Sequence, residues 1–274
     1  MPIKTFISLH SAPRSGSTWL QMLFESHPKV ITKYQPLFSY EFKNRITPQS
    51  SPEEFNQFLE NLQASTSDFI NMRGPYHQDE NNQFPTTPKQ NPTTLLFKNT
   101  HNHQLAETFL KLKPNIKLIY LLRHPCGAIN SFINNPRECD SSLINTDEWL
   151  TGACKNNDNP NNYFGYNKWL ELTEMFYNLR DKYPTNVYIV IYEDILNNPT
   201  QLKALFDWCG LDYHPQVQQF FDESHQKDCS SHTAVYKSKS VQDKWKTSLG
   251  NDIKNYIMQD LEKHLYLNGN WGEF

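Results

Sequence analysis

The chain has 274 residues, 37% of them hydrophobic and 14% aromatic, which is enough apolar surface for one large core and excludes global disorder. Its 26 Lys and Arg against 29 Asp and Glu leave a net charge of -3, so no bulk affinity for nucleic acid or anionic membrane follows. No stretch approaches the roughly 20 apolar residues of a membrane span, and Cys126, Cys139, Cys154, Cys209 and Cys229 form no C-x-x-C pair, against a zinc ribbon or a disulfide framework.

In chain order, Thr5 to Leu9 is a short apolar run that meets Pro13 and Gly16, after which Trp19, Leu20, Leu23 and Phe24 recur at helical spacing. The reading is strand, turn, helix. Thr94 to Phe97 predicts a strand, Leu105 to Leu112 a helix, Lys117 to Leu122 a strongly apolar strand, and Ala128 to Ile133 a helix. An apolar stripe through Tyr166, Trp169, Leu170, Thr173, Phe176 and Tyr177 predicts the core face of a helix from about Asn161 to Asp181, and Val187 to Ile191 a further buried strand. Met72 to Pro92 and Pro136 to Pro160, rich in Asn and Pro, read as loops that could serve an acceptor site. Strands alternating with helical segments need crossover connections, so the fold class is α/β: a single domain over 1–274 with a mainly parallel central sheet flanked by helices.

Two segments carry chemistry. Ser11-Ala12-Pro13-Arg14-Ser15-Gly16-Ser17-Thr18-Trp19 sits where the first strand gives way to a helix, whose first N–H groups lack partners and whose small residues let an anion approach. It is P-loop-like without the Gly-Lys-[Ser/Thr] ending of ordinary nucleoside triphosphate loops. Arg123 ends the buried strand Lys117–Leu122, and Ser131 follows eight residues later on the next helix, a pair suited to a second phosphate.

Together these motifs make the sequence similar to the sulfotransferase family that uses 3′-phosphoadenosine 5′-phosphosulfate. Pro13 to Trp19 resembles the family's 5′-phosphosulfate loop, and Arg123 with Ser131 its 3′-phosphate motif. Phe97-Lys98-Asn99-Thr100-His101 resembles a Lys-Thr-His segment with one residue inserted, and His101 keeps the family's 22-residue distance to Arg123. Tyr192-Glu193-Asp194 resembles the segment whose tyrosine contacts adenine, and Lys237-Ser238-Lys239-Ser240 the basic loop that closes over the nucleotide. The likeness spans roughly residues 3 to 250. Arg14, where cytosolic members carry Lys, brings the loop closer to bacterial and carbohydrate-type members.

The resemblance implies a co-substrate, 3′-phosphoadenosine 5′-phosphosulfate, held by Arg14, Ser15, Gly16, Ser17, Thr18, Trp19, Arg123, Ser131, Tyr192, Lys237 and Lys239. It implies sulfuryl transfer to a hydroxyl or amine with no obligatory metal, and the modest negative charge, which argues against a long polyanionic acceptor, leaves a small soluble acceptor as the default. Arg14 and Lys98 would stabilise developing charge, and His101 would be the base, with His103 two positions further on as the competing choice. The sequence departs from the family at Tyr34-Gln35-Pro36-Leu37, where many members carry a glutamate base and Gln35 offers only an amide. Tyr34, Phe38, Tyr40 and Phe42 are candidates to line the acceptor pocket. A nucleotide-dependent phosphotransferase is the alternative enzyme, weakened by the missing Gly-Lys ending and acidic magnesium partner. A non-catalytic nucleotide- or glycan-binding protein is the other alternative, supported by Gln35. The odd cysteine count, and proline inside Asn91-Pro92-Thr93 and Asn198-Pro199-Thr200, point to a reducing, cytoplasmic address.

Overall fold

The computed structural model describes residues 2–73, 77, 84–85, 87–144, 146–226, 228–229, 234–267 and 270–271. Five strands, β1 (Thr5–His10), β2 (Val30–Tyr34), β3 (Thr94–Asn99), β4 (Lys117–Leu122) and β5 (Val187–Ile191), form a sheet of order β2-β3-β1-β4-β5 in which every pairing is parallel. The chain builds outward from β1 to one side with β2 and β3, then reverses to the other with β4 and β5. That reversal leaves a crevice at the carboxyl ends of β1, β3 and β4, where the connecting loops part company.

Helices cover both faces, as the apolar strands require. They are α1 (Ser17–Glu25), α2 (Pro52–Ala64), α3 (Ala106–Leu112), α4 (Pro125–Ile133), α5 (Glu148–Thr151), α6 (Ala153–Asn156) and α7 (Tyr166–Lys182), followed by α8 (Tyr192–Asn197), α9 (Pro199–Trp208), α10 (Pro215–Ser224), α11 (Trp245–Ser248) and α12 (Asn251–Leu261). The period-two alternation of β4 divides the core. Leu118, Tyr120 and Leu122 pack with α2, α3, α4 and α7, whereas Ile119 and Leu121 pack with α1, α8, α9 and α10. Phe176 of α7 stacks on Tyr120 at 4.5 Å, and Tyr120 donates or accepts a 2.9 Å hydrogen bond with Thr173, so the aromatic stripe of α7 faces the core.

The expected strands are present, β1 and β3 running one and two residues beyond the apolar runs. Helix α7 starts at Tyr166 rather than near Asn161. Gly165 has φ 85, outside the helical region, and Asn156 holds the Phe164 backbone through bonds of 2.9 and 3.0 Å, so 161–164 is committed to another structure. The 136–160 stretch, expected as a loop, contains short helical turns at Ser141–Leu143, α5 and α6. The expected 72–92 loop lies partly outside the described residues. Among the described residues no helix is long and apolar enough to cross a membrane.

Candidate active site

The loop after β1 is shaped by two left-handed residues, Arg14 at φ 67 and Gly16 at φ 91. Gly16 also needs to lack a side chain: a Cβ there would lie 2.7 Å from the ring of Tyr192, the first residue of α8. This close approach seats the loop against Tyr192 and delivers the start of α1 to the crevice with no side-chain cap on its N–H groups. Ser15 is 1% exposed and its Oγ has no hydrogen-bond partner, while Trp19 Nε1 donates to Ser224 Oγ at 2.9 Å and its ring meets Tyr192 edge-on at 5.6 Å.

A cavity of about 570 Å³ opens above this loop. Of the residues predicted to hold the nucleotide, it is lined by Arg14, Gly16, Ser17, Thr18 and Trp19 from the loop, and by Arg123, Ser131, Tyr192 and Lys237 from elsewhere. Ser15, buried within the loop, does not join them, and neither does Lys239. It is exposed, with its ammonium 5.3 Å from the Phe221 ring centroid, because the chain turns outward into a short 3₁₀ helix at Lys239–Gln242. Lys237 is held at the wall by its backbone N–H, which donates to Ser224 O at 2.9 Å.

Arg123 projects from the end of β4 and is 6% exposed. Its Nη1 donates to Arg14 O at 2.8 Å and its Nη2 to Val241 O at 3.3 Å, while Nε is buried without a partner. The guanidinium lies 5.1 Å from the Tyr192 ring centroid. Gly127 makes room for it, since a Cβ there would come within 3.0 Å of Arg123 Nε. Ser131, one turn further along α4, accepts from Arg14 Nε at 3.3 Å, so both expected anion sites share one wall.

Lys98 is 2% exposed at the end of β3, its Nζ donating to Thr18 Oγ1 at 2.8 Å and standing 4.3 Å over the Tyr34 ring. Burial, reinforced by the Arg14 charge, pulls its pKa down to about 7. The inserted residue is absorbed by strand alternation. Asn99 points to the opposite face, where its Nδ2 donates to Ser8 Oγ at 3.1 Å, and Thr100 donates to Gln35 Oε1 at 3.0 Å.

The two histidines end up in different places. His101 lines the cavity, with Phe38 stacked on it at 4.8 Å and Asn162 Oδ1 at 2.9 Å from its Nδ1. Asn162 has its amide fixed, because Nδ2 donates to Lys155 O at 3.0 Å and to Asn156 O at 3.4 Å. Its oxygen therefore faces the imidazole, Nδ1 carries the proton, and Nε2 keeps a lone pair. Burial, helped by Lys98 and opposed by Asn162 and Glu138, holds the imidazole below its ordinary pKa. His103 is fully buried outside this cavity, its Nδ1 2.9 Å from His10 Nδ1, and burial keeps both rings neutral.

Of the aromatic residues expected at an acceptor pocket, Tyr34 and Phe38 line the cavity. Tyr40 does not, being 93% exposed, and Phe42 is 4% exposed inside the core beside Phe58. Gln35 is in the wall, but its amide is engaged: Oε1 accepts from Thr100 and Nε2 donates to Tyr34 OH at 3.3 Å. Sequence reasoning missed Glu138, Lys155, Asn162 and Phe164, which complete the cavity on the side of His101. The first two belong to the polar 136–160 stretch, whose composition flagged a loop without identifying which side chains turn inward. Among the described residues there is no group of three or more His, Cys, Asp or Glu able to hold a metal ion.

Solved structures share this fold. The chain is similar in fold to a mouse sulfotransferase solved as a complex with PAP, at 15% identity and a TM-score of 0.58, covering 99% of this chain and 88% of that one. It is also similar to retinol dehydratase solved with retinol and PAP, at 13% identity and a TM-score of 0.52, over 99% of this chain and 84% of that one. A third likeness is to the sulfotransferase domain of the Synechococcus olefin synthase, at 17% identity and a TM-score of 0.51, over 92% of this chain and 89% of that one. No curated protein matches the chain. The sulfotransferase family model matches residues 7–215, a span that runs from β1 to the start of α10 and includes both arginines, Lys98 and His101; the chain belongs to the sulfotransferase family.

Proposed function

We propose that the protein transfers a sulfuryl group from 3′-phosphoadenosine 5′-phosphosulfate to a hydroxyl or amine of a small acceptor. The observation that carries this reading is that both candidate anion sites, Lys98 and His101 open onto one cavity. Support for the donor comes from polar groups left unpaired in its wall and loop: the Arg123 Nε, the Ser15 Oγ and the first N–H groups of α1. The 5′-phosphosulfate fits the Arg14 to Thr18 loop, and a 3′-phosphate fits Arg123 with Ser131. Tyr192 and Trp19 offer aromatic surface between the walls for the base, with Lys237 beside them.

In this reading the acceptor lies against Phe38, Phe164 and His101. His101 Nε2 takes the acceptor's proton as its oxygen or nitrogen forms a bond to sulfur, and the bond from sulfur to the bridging phosphate oxygen breaks, its electron pair leaving with adenosine 3′,5′-bisphosphate. By analogy with phosphoryl transfer, negative charge spreads over the equatorial and bridging oxygens. Lys98, Arg14 and the N–H groups of the loop are placed to stabilise it. The charge of Lys98 matters most when the donor is bound, since an anion at the loop restores the protonated form that burial disfavours. The 136–160 segment, through Glu138 and Lys155, would form part of the acceptor wall. The test is a transfer assay with the ³⁵S-labelled donor and a panel of small phenols, alcohols and amines. Label appearing in an acceptor supports the reading, and bisphosphate binding without transfer to any acceptor would favour a non-catalytic role.

A further inference from the structure

Six Lys and Arg side chains line the cavity, and Glu138 is the one carboxylate among its described lining residues. Its backbone is fixed by the turn after α4, where Glu138 N and Cys139 N both donate to Asn135 O, at 2.8 and 2.9 Å. Its side chain is 13% exposed and bridges two cations: Oε1 lies 3.7 Å from Arg14 Nη1 and Oε2 3.2 Å from Lys155 Nζ. Lys155 is tied to the same turn by a 2.8 Å bond to Arg137 O. Arg14, for its part, gives Nε to Ser131 Oγ at 3.3 Å and accepts Arg123 through its carbonyl. The guanidinium that the loop presents to an anion is thus already engaged by an anion of the chain.

The two contacts of Glu138 are unequal. A separation of 3.7 Å exceeds the 2.7 to 2.9 Å of a charge-assisted hydrogen bond, so the Arg14 contact is the looser one, and Lys155 can hold the carboxylate alone. A phosphosulfate seated on the loop would need the same guanidinium, and two anions on one guanidinium repel.

We propose that Glu138 is a built-in counter-ion of Arg14 that the donor displaces: it occupies the guanidinium in the free protein, and yields it to the donor while keeping Lys155. The inference rests on the reading of Arg14 as a donor ligand. Its consequence is selectivity by competition. An ordinary monoanion must displace a carboxylate for little return, whereas a ligand anchored at both anion sites does so readily, and the released carboxylate then faces the acceptor side next to His101.

The experiment is titration calorimetry of the full chain with adenosine 3′,5′-bisphosphate. Removing a cavity residue ordinarily weakens binding, but here Glu138→Gln should tighten it by roughly 3- to 10-fold, the scale of a part-buried ion pair. Glu138→Asp, which keeps the charge but shortens the reach to Arg14, should tighten it by less and guards against a folding defect in the first variant. In an Arg14→Gln background the Glu138→Gln change should have no further effect. Unchanged or weaker binding by both Glu138 variants would overturn the proposal, as would tightening that persists in the Arg14→Gln background, which marks general repulsion instead of an exchanged contact. Failure of the unaltered protein to bind the bisphosphate would overturn the donor reading as well, so the two failures are distinguishable.

Discussion

On the proposed reading, Lys98 should make binding of the donor a proton-uptake reaction near neutral pH. Burial and Arg14 lower its pKa to about 7 in the free protein, and among the described residues its Nζ donates to Thr18, a neutral hydroxyl. A phosphate on the neighbouring loop opposes both effects and returns the ammonium toward its ordinary pKa of 10.5. At pH 8 the free protein then holds about 0.1 proton on Lys98 and the complex about 1, so roughly 0.9 proton is taken up on binding; at pH 6 the uptake falls to about 0.1. Bisphosphate affinity should accordingly fall by up to about tenfold per pH unit above pH 7. Titration calorimetry in two buffers of different ionisation enthalpy measures the uptake directly, with Lys98→Met as the control in which it disappears. The linkage to folding has a definite sign. A lysine whose folded pKa is depressed penalises the folded state fully below that pKa, and the penalty fades between about 7 and 10.5, so the free protein should gain stability from this residue as pH rises through that window. Zero uptake at pH 8, or uptake that survives in Lys98→Met, would show that Lys98 is not the group that takes up the proton.

Arg123→Ala should cost roughly 1.5 to 3 kcal/mol of bisphosphate affinity, the range of hydrogen bonds to charged groups, and should weaken adenosine 5′-monophosphate much less; equal losses for the two ligands in calorimetry would remove Arg123 from the 3′-phosphate. His101→Ala should lower turnover by roughly 10² to 10⁴-fold with bisphosphate binding nearly intact, and because its pKa lies below the ordinary 6.5 the unaltered enzyme should hold its rate past that value on acidification, which a pH–rate profile reads. His103→Ala should spare turnover and instead lower the melting temperature, since it strands His10 Nδ1 in the core at a cost of about 1 to 3 kcal/mol. Gly16→Ala should lose both stability and nucleotide binding, because its Cβ meets Tyr192 at 2.7 Å and its φ is 91; a normal melting temperature would show that the loop can move away from α8.

The parallel sheet was legible where its strands are short apolar runs, as in β1, β3, β4 and β5, whereas β2, Val-Ile-Thr-Lys-Tyr with a lysine inside it, gave no such signal. Lys117–Leu122 reads as a strongly apolar strand, and the structure gives it those bounds. The candidate anion sites were legible for a related reason. Each is local, a strand end followed by a helix start, so Arg14 to Thr18 and Arg123 with Ser131 carry their geometry within a dozen residues of sequence. Lys239 was misplaced by the same local logic: two lysines two positions apart look equivalent in a basic loop, but the 3₁₀ turn at Lys239–Gln242 sends only Lys237 inward.

The side of the cavity next to His101 was not legible, and the cause is physical. It is assembled from Phe38 after β2, His101 after β3, Glu138 after α4, and Asn162 and Phe164 ahead of α7, residues that share no spacing rule and meet only because parallel crossovers return each connection to one edge of the sheet. The choice between His101 and His103 illustrates the limit. Two residues apart, both follow the same strand, and no periodicity separates them. What separates them is the turn: Asn102, in the left-handed region at φ 59, donates its N–H to Asn161 O at 3.1 Å, sending His103 back under the sheet toward His10 while His101 stays with Asn162. The partner that fixes the tautomer of His101 thus lies next to the residue that anchors its turn. A substitution at Asn162 should disturb His101, the proposed base, through its orientation and proton position before it disturbs anything else in the cavity.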